Sequence, residues 1–254
     1  MRAKVIAVVN QKGGTGKTTT TVNLGCALGK LGNKVLLIDF DSQASLTYYL
    51  GIQHMPKGSV ADVVFGEKHL SEIIIERENV SIAPANLELA DAELSLASYK
   101  NRAEVLKFAM RGVVRQYDYI LIDCGPSLSI LSVNAMNAAS SIIIPLELEV
   151  LALQGLQLIS QTLQRIRNAF NPELKVLGVL LLKVDLAKSI TQEVYELLLN
   201  TCTYPIFQAH VEFDEKAIEA PSFGQSLISY APNSVSTIGY LDLAMEVSEK
   251  ALSS

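Results

Sequence analysis

The chain has 254 residues, 49% of them apolar, and a formal net charge of −5. That composition can fill one large core or two small ones, while no apolar run reaches the roughly 20 residues a bilayer span requires. Met1-Arg2-Ala3-Lys4 leads straight into a short apolar run rather than a signal-peptide core, and Cys26, Cys124 and Cys202 are too scattered for a disulfide framework or a metal-ligand spacing. These features point to a cytoplasmic protein whose cysteines act as small hydrophobes.

In chain order, β-branched runs predict strands over 5–9, 35–38, 80–83, 119–122, 141–144 and 176–182. Apolar residues at i, i+3/i+4 spacing predict helices over 18–31, 86–96, 101–115, 151–169, 190–200 and 237–252. Gly32 supplies a stop for the first helix, and Asn171-Pro172 one for the helix ending at 169. The alternation of strand and helix predicts an α/β fold with a doubly wound, mostly parallel sheet covered by helices on both faces. No repeat, low-complexity tract or linker interrupts it, so residues 1–254 read as a single domain. Ligands in such sheets bind beyond the carboxyl ends of the strands, and chemistry-bearing residues are expected there.

The segment after the first strand is Asn10-Gln11-Lys12-Gly13-Gly14-Thr15-Gly16-Lys17-Thr18-Thr19, and an apolar-periodic helix follows it. Strand, glycine-rich loop and helix together form the context of a phosphate-binding loop. Polyphosphate is received by backbone N–H groups at a helix N-terminus when no side chain blocks the approach. Gly13, Gly14 and Gly16 remove those side chains. Lys17 is placed to reach the β/γ-phosphates and the Thr18 hydroxyl to reach Mg²⁺, with Thr15 and Thr19 completing the loop. The ordinary pattern has glycine five residues before Gly16; here that residue is Gln11, and a second lysine, Lys12, opens the loop. The acidic partners follow later strands: Asp39-Phe40-Asp41-Ser42-Gln43 after the second and Asp123-Cys124-Gly125-Pro126 after the fourth. An ATP-hydrolysing site needs a carboxylate near Mg²⁺ and a group that orients water, and two aspartates ending buried strands beside such a loop supply candidates.

The Lys12–Thr18 sequence K-G-G-T-G-K-T resembles the deviant Walker A motif of the ParA/MinD ATPases. Asp39-Phe40-Asp41-Ser42-Gln43 resembles that family's D-x-D-P-Q motif with Ser42 in place of proline, and Asp123-Cys124-Gly125-Pro126-Ser127-Leu128 its D-C-P-P-S-L motif with Gly125 in place of the first proline. Asn134-Ala135, Ile144-Pro145, Ala152-Leu153-Gln154-Gly155-Leu156, Glu219-Ala220-Pro221-Ser222-Phe223-Gly224 and Ala231-Pro232-Asn233-Ser234 are similar to later family segments in the same order, so the likeness to ParA-type partition ATPases spans nearly the whole chain. The resemblance implies a P-loop NTPase that hydrolyses ATP with Mg²⁺, slowly and under stimulation by a ParB-like or other adaptor. It implies a homodimer that sandwiches ATP, with Lys12 reaching the partner's nucleotide, Asp41 needed for hydrolysis, and Asp123 near a metal also touched by Thr18 and Asp41. It further implies nonspecific DNA as the working surface, hence a nucleoid-associated protein. Adenine contacts fall in the segment Val211-Glu212-Phe213-Asp214-Glu215, which lacks the family's I-P-R-N pattern and leaves Phe213 as the candidate.

Charge gives a mixed answer about DNA, since residues 97–188 carry a net +3 but residues 189–254 a net −7. Lys183, Lys188 and Lys216 are the first candidates for phosphate contact. Lys100, Arg102, Lys107, Arg111 and Arg115 come second, with a solvated helix face as the plainer explanation. The last helix is acidic on its polar face, which argues against anionic membranes. Two other classes share the loop. A small-molecule ligase or kinase of the dethiobiotin-synthetase type would need a dedicated substrate pocket. A reductase like the nitrogenase iron protein would need a second cluster cysteine beside Cys124, which the sequence does not provide.

Overall fold

The computed structural model describes residues 3–126, 129–149, 152–185 and 189–252. Eight strands form one sheet: β1 (Lys4–Val8), β2 (Val35–Phe40), β3 (Ile75–Arg77), β4 (Val80–Ala83), β5 (Tyr119–Cys124), β6 (Ser141–Glu147), β7 (Lys175–Val184) and β8 (Ile206–Glu212). Their order is β3-β4-β2-β5-β1-β6-β7-β8, parallel throughout except where β3 runs against β4. The helices are α1 (Lys17–Lys30), α2 (Ser45–Tyr49), α3 (Val60–Phe65), α4 (Leu70–Ile73), α5 (Leu89–Leu96), α6 (Val105–Ala109), α7 (Ile130–Ala138), α8 (Ala152–Ala169), α9 (Ser189–Thr201), α10 (Lys216–Glu219), α11 (Leu227–Tyr230) and α12 (Val235–Leu252).

The central strands are buried along their length because both faces of the sheet are covered. On one face α1, α2, α11 and α12 pack Val22, Leu28, Leu46, Leu227, Leu243 and Val247 against Leu37 and Leu121. On the other, α3 and α5 to α9 pack residues such as Val60, Leu106, Leu131, Ile159 and Leu198 against Ile38 and Ile122. Helix and sheet approach closely at small residues. A Cβ on Gly25 of α1 would fall 2.4 Å from Leu37, and one on Gly239 of α12 would fall 2.4 Å from the His210 carbonyl oxygen.

The doubly wound, mostly parallel sheet matches the sequence expectation, with differences among the smaller elements: the short helices α2, α3, α4, α10 and α11 were not anticipated. The edge strands β3 and β8 were not anticipated. Nor was α7, whose sequence ILSVNAMNA has no polar face because it is buried nearly all round. The helix expected over 101–115 is confined to α6 and a 3₁₀ turn at Met110–Gly112; its apolar spacing is real, since Leu106, Met110 and Val113 are buried, but Gly112 and the β-branched pair Val113-Val114 end it.

Candidate functional site

The glycine loop leaves β1 and enters α1 through Gly14 and Gly16, both left-handed at φ +75° and +72°, a conformation that favours glycine. Asn10 anchors the start, donating from its side-chain amide to the Pro145 carbonyl at 2.7 Å and accepting the Lys12 N–H at 3.0 Å. Lys17 closes the loop, its buried ammonium donating to the Lys12 carbonyl at 3.0 Å, and the Thr15 hydroxyl donates to the same carbonyl at 3.2 Å. Burial pushes the Lys17 pKa down, with Asp123, Cys124 and Asp41 acting in the opposite direction. No side chain caps the first turn of α1 and no acid lies in it, so its N–H groups face the cleft. A Cβ on Gly13 or Gly14 would meet nothing within 4 Å. An open cradle of N–H donors with one buried cation fits polyphosphate.

Two aspartates meet where β2 and β5 pair in register, Asp39 opposite Asp123, both fully buried. Asp123 accepts the Thr18 hydroxyl at 2.7 Å and the Thr21 hydroxyl at 3.3 Å. Burial holds its pKa well above the usual carboxylate range, and the neighbouring Asp39 pushes it further up against the pull of the Thr18 bond. Asp39 serves the fold: its carboxylate accepts the Thr47 N–H at 2.8 Å and hydroxyl at 2.6 Å, fixing α2 over the strand end, and burial lifts its pKa to about 6. Asp41 lies one step beyond the strand, at the cleft wall, and accepts the Gln43 N–H at 3.1 Å. Gly125 makes room for it, since a Cβ there would stand 2.9 Å from Asp41 Oδ1.

Concentrated carboxylates beside a threonine hydroxyl fit a hard cation. Among the described residues no group of three His, Cys, Asp or Glu side chains could hold a metal by itself. Mg²⁺ here would therefore need phosphate oxygens and water beside Thr18, Asp123 and Asp41, which is how that ion is ordinarily bound.

The cleft holds about 850 Å³ and its walls include Lys17, Thr18, Asp41, Tyr48, Lys183 and Ile218. A smaller pocket of about 100 Å³ opens beside Gly16 and Thr19, walled by Leu182, Phe213, Ile218 and Tyr240. Phe213 is 54% exposed there, a flat apolar surface of the kind a purine stacks on.

Lys12 stands apart from Lys17, with a side chain 54% exposed and an ammonium paired to Glu149 at 2.5 Å. The expected DNA-contact lysines do not form a free basic patch. Lys183, left-handed at φ +53°, pairs with Glu147 at 2.7 Å and lines the cleft. Lys216 pairs with Glu219 at 2.8 Å and sits over the Tyr230 ring, while Lys188 lies outside the described residues. Sequence reading also missed Glu149, Tyr48 and Thr21. Thr21 was recoverable, since it lies one turn after Thr18 on the same face of α1; Glu149 carried no signal, being 137 residues from the lysine it meets.

Comparison with known proteins places this geometry in context. The AAA domain family model matches residues 3–176. The chain is 38% identical to sporulation initiation inhibitor protein Soj of Bacillus subtilis over 247 residues, covering 96% of this chain and 98% of that protein. It is 36% identical to the chromosome partitioning protein ParA of Caulobacter vibrioides over 249 residues, covering 96% and 93%. A crystal structure of cobyrinic acid a,c-diamide synthase from Mycobacterium smegmatis, with an ATP analog and magnesium bound, superposes with a TM-score of 0.85 at 32% identity, covering 96% of this chain and 93% of that one.

Proposed function

The chain belongs to the ParA/MinD family of ATPases, and from that premise we propose that it is a single-domain, ATP-dependent dimerising switch that positions or segregates a cargo. The carrying observation is that one glycine loop bears two lysines of opposite setting. Lys17 is buried and committed to its own loop, whereas the Lys12 side chain is half exposed and held by an exposed pair with Glu149, a contact that would open for Lys12 to reach another ligand. The two amines are thus set differently towards a triphosphate in their own subunit, and a cation at the rim suits the nucleotide of a second copy. Gly13, Gly14, Gly16, Thr15 and Thr19 cradle the phosphates, Lys17 neutralises them, and Phe213 receives the adenine. Mg²⁺, held by Thr18, Asp123 and Asp41, supplies charge neutralisation on the phosphate oxygens. Asp41 orients the attacking water, and ATP plus water gives ADP and phosphate. Hydrolysis is slow and is stimulated by a ParB-like or other adaptor, so that it works as a timer.

In this reading the dimer is cytoplasmic and uses nonspecific DNA of the nucleoid as its surface. Lys183 and Lys216 pair with carboxylates, as Lys12 does, and further support comes from Lys100, Arg102, Arg111 and Arg115, which are exposed and have no carboxylate partner among the described residues. The test is retention on nonspecific duplex DNA. Retention is expected only with ATP and should fall steeply with salt, as counterion release requires; retention without ATP, or none, removes the DNA surface from the proposal. Lys12→Ala is expected to bind ATP within a fewfold of the parent yet remain monomeric by light scattering, and a normal ATP-dependent dimer would refute the role across the interface. A second reading, an ATP-dependent small-molecule ligase, is supported by the likeness to cobyrinic acid a,c-diamide synthase of M. smegmatis. It requires ADP release to rise with an acid substrate such as cobyrinic acid.

A further inference from the structure

β8 is an edge strand, and α12 packs onto it through Gly239. Between Gln208–Glu212 and the outer side of α12 runs a groove of about 440 Å³ along the open edge of the sheet. The helix residues that line it include Val235, Ile238, Asp242, Met245 and Glu249, successive steps of three, four, three and four residues, the spacing of a coiled-coil seam. An amphipathic helix covering a core needs one apolar stripe, and α12 already buries Tyr240, Leu243, Ala244 and Val247. Its second stripe faces water, with Val235 49%, Ile238 51% and Met245 48% exposed.

The surroundings select the occupant. Glu246 accepts the Gln208 and Ala209 N–H groups at 2.9 and 3.0 Å and pairs with Lys250 at 2.9 Å. Those edge donors are thus taken, which disfavours an added strand and leaves a helix as the form that fits the seam. Glu212 and Asp242 are exposed along the groove, His210 is the titratable base among its lining residues, and residues 189–254 carry a net −7. The geometry points to a docking site for a basic amphipathic helix of a partner protein, its apolar residues seated on Val235, Ile238 and Met245 and its lysines or arginines facing Asp242 and Glu212. A second copy of α12 would set like charges together, and nucleic acid or anionic lipid would be repelled. The groove lies beyond the nucleotide reading, although Glu212 also lines the small pocket that holds Phe213.

The experiment is fluorescence anisotropy on the full chain with a synthetic helix of about three heptads, leucine at the seam and lysine or arginine beside it, and a twin carrying glutamate instead. The basic helix is expected to bind and the acidic twin not. The pair Glu212→Lys/Asp242→Lys and the single change Ile238→Asp should each weaken binding by about tenfold or more, the latter persisting at high salt. These positions are exposed, so an unchanged melting curve shows that the fold is intact, and Leu94→Asp on α5 is the neutral control. Equal binding of the twin, indifference to both variants, absence of binding by either helix, or a homodimer broken by Ile238→Asp would each overturn the site. ATP-dependent dimerisation of the same variants reports on the nucleotide switch separately.

Discussion

Replacing Asp41 by alanine is expected to slow ATP hydrolysis by about 100-fold or more while leaving ATP affinity within a fewfold of the parent, the usual cost of removing a group that handles the reacting water. The argument rests on position. Asp41 is 7% exposed at the cleft wall with Lys17 and Thr18, and the fold does not depend on its carboxylate as it depends on that of Asp39. Among the described residues a single bond, from the Gln43 N–H, orients its carboxylate, and Gly125 leaves its oxygen unobstructed. With binding intact and hydrolysis blocked, the ATP-bound dimer should accumulate, giving a persistent dimer by light scattering where the parent returns to monomer. Asp41→Asn, which keeps the shape and removes the charge, should behave in the same way. Parental rates of phosphate release from either variant would exclude the assignment. Gly125→Ala should act in the same direction, more mildly, because its Cβ would stand 2.9 Å from Asp41 Oδ1.

How much of this could be read in the sequence depends on how locally each feature is encoded. The loop was legible because its glycines, its lysines and the flanking apolar strand and helix lie within a short stretch, and each residue answers a steric or charge requirement of polyphosphate. Asp41 and Asp123 were legible because both end strands whose apolar runs mark the carboxyl edge of the sheet. The edge strands were not. β8 reads IFQAHVE, with Gln208 and Glu212 exposed at the open edge, and two register shifts in its pairing with β7 break the alternation further. α7 was hidden for the opposite reason, since uniform burial erases the periodicity by which a helix is recognised. Contacts between distant residues were out of reach: nothing in sequence spacing couples Lys12 to Glu149 or Lys183 to Glu147. Net charge by segment identified an acidic C-terminal quarter, and only the folded chain reveals that part of that charge lines a groove beside the exposed Val235, Ile238 and Met245.

Lys17→Ala should have the second large effect, lowering ATP affinity by about 100-fold or more, since two charge-assisted contacts at roughly 1.5–3 kcal/mol each lie at stake and every 1.4 kcal/mol is tenfold. Local electrostatics makes the loss asymmetric between nucleotide-free and nucleotide-bound protein. Without nucleotide the ammonium is costly to bury, as its lowered pKa reflects, and it donates to a single loop carbonyl. Removing it therefore relieves a desolvation penalty while depriving Asp123 of its nearest compensating cation, and these changes oppose each other. The melting temperature of the nucleotide-free variant should accordingly stay near that of the parent. With triphosphate present nothing compensates: several negative charges enter a cleft that also holds Asp41 and Asp123, and the cation that separates them from those carboxylates is gone. The stabilisation that ATP and Mg²⁺ confer on the parent should shrink at the same ligand concentration, because it grows as RT ln(1 + [L]/Kd) and a 100-fold weaker Kd removes up to about 2.7 kcal/mol of it. Calorimetric titration and a melting series with and without ATP measure both halves. Affinity within threefold of the parent would show that the α1 N–H groups bind phosphate without Lys17, and a collapsed nucleotide-free melt would show that the lysine is a strut of the fold instead.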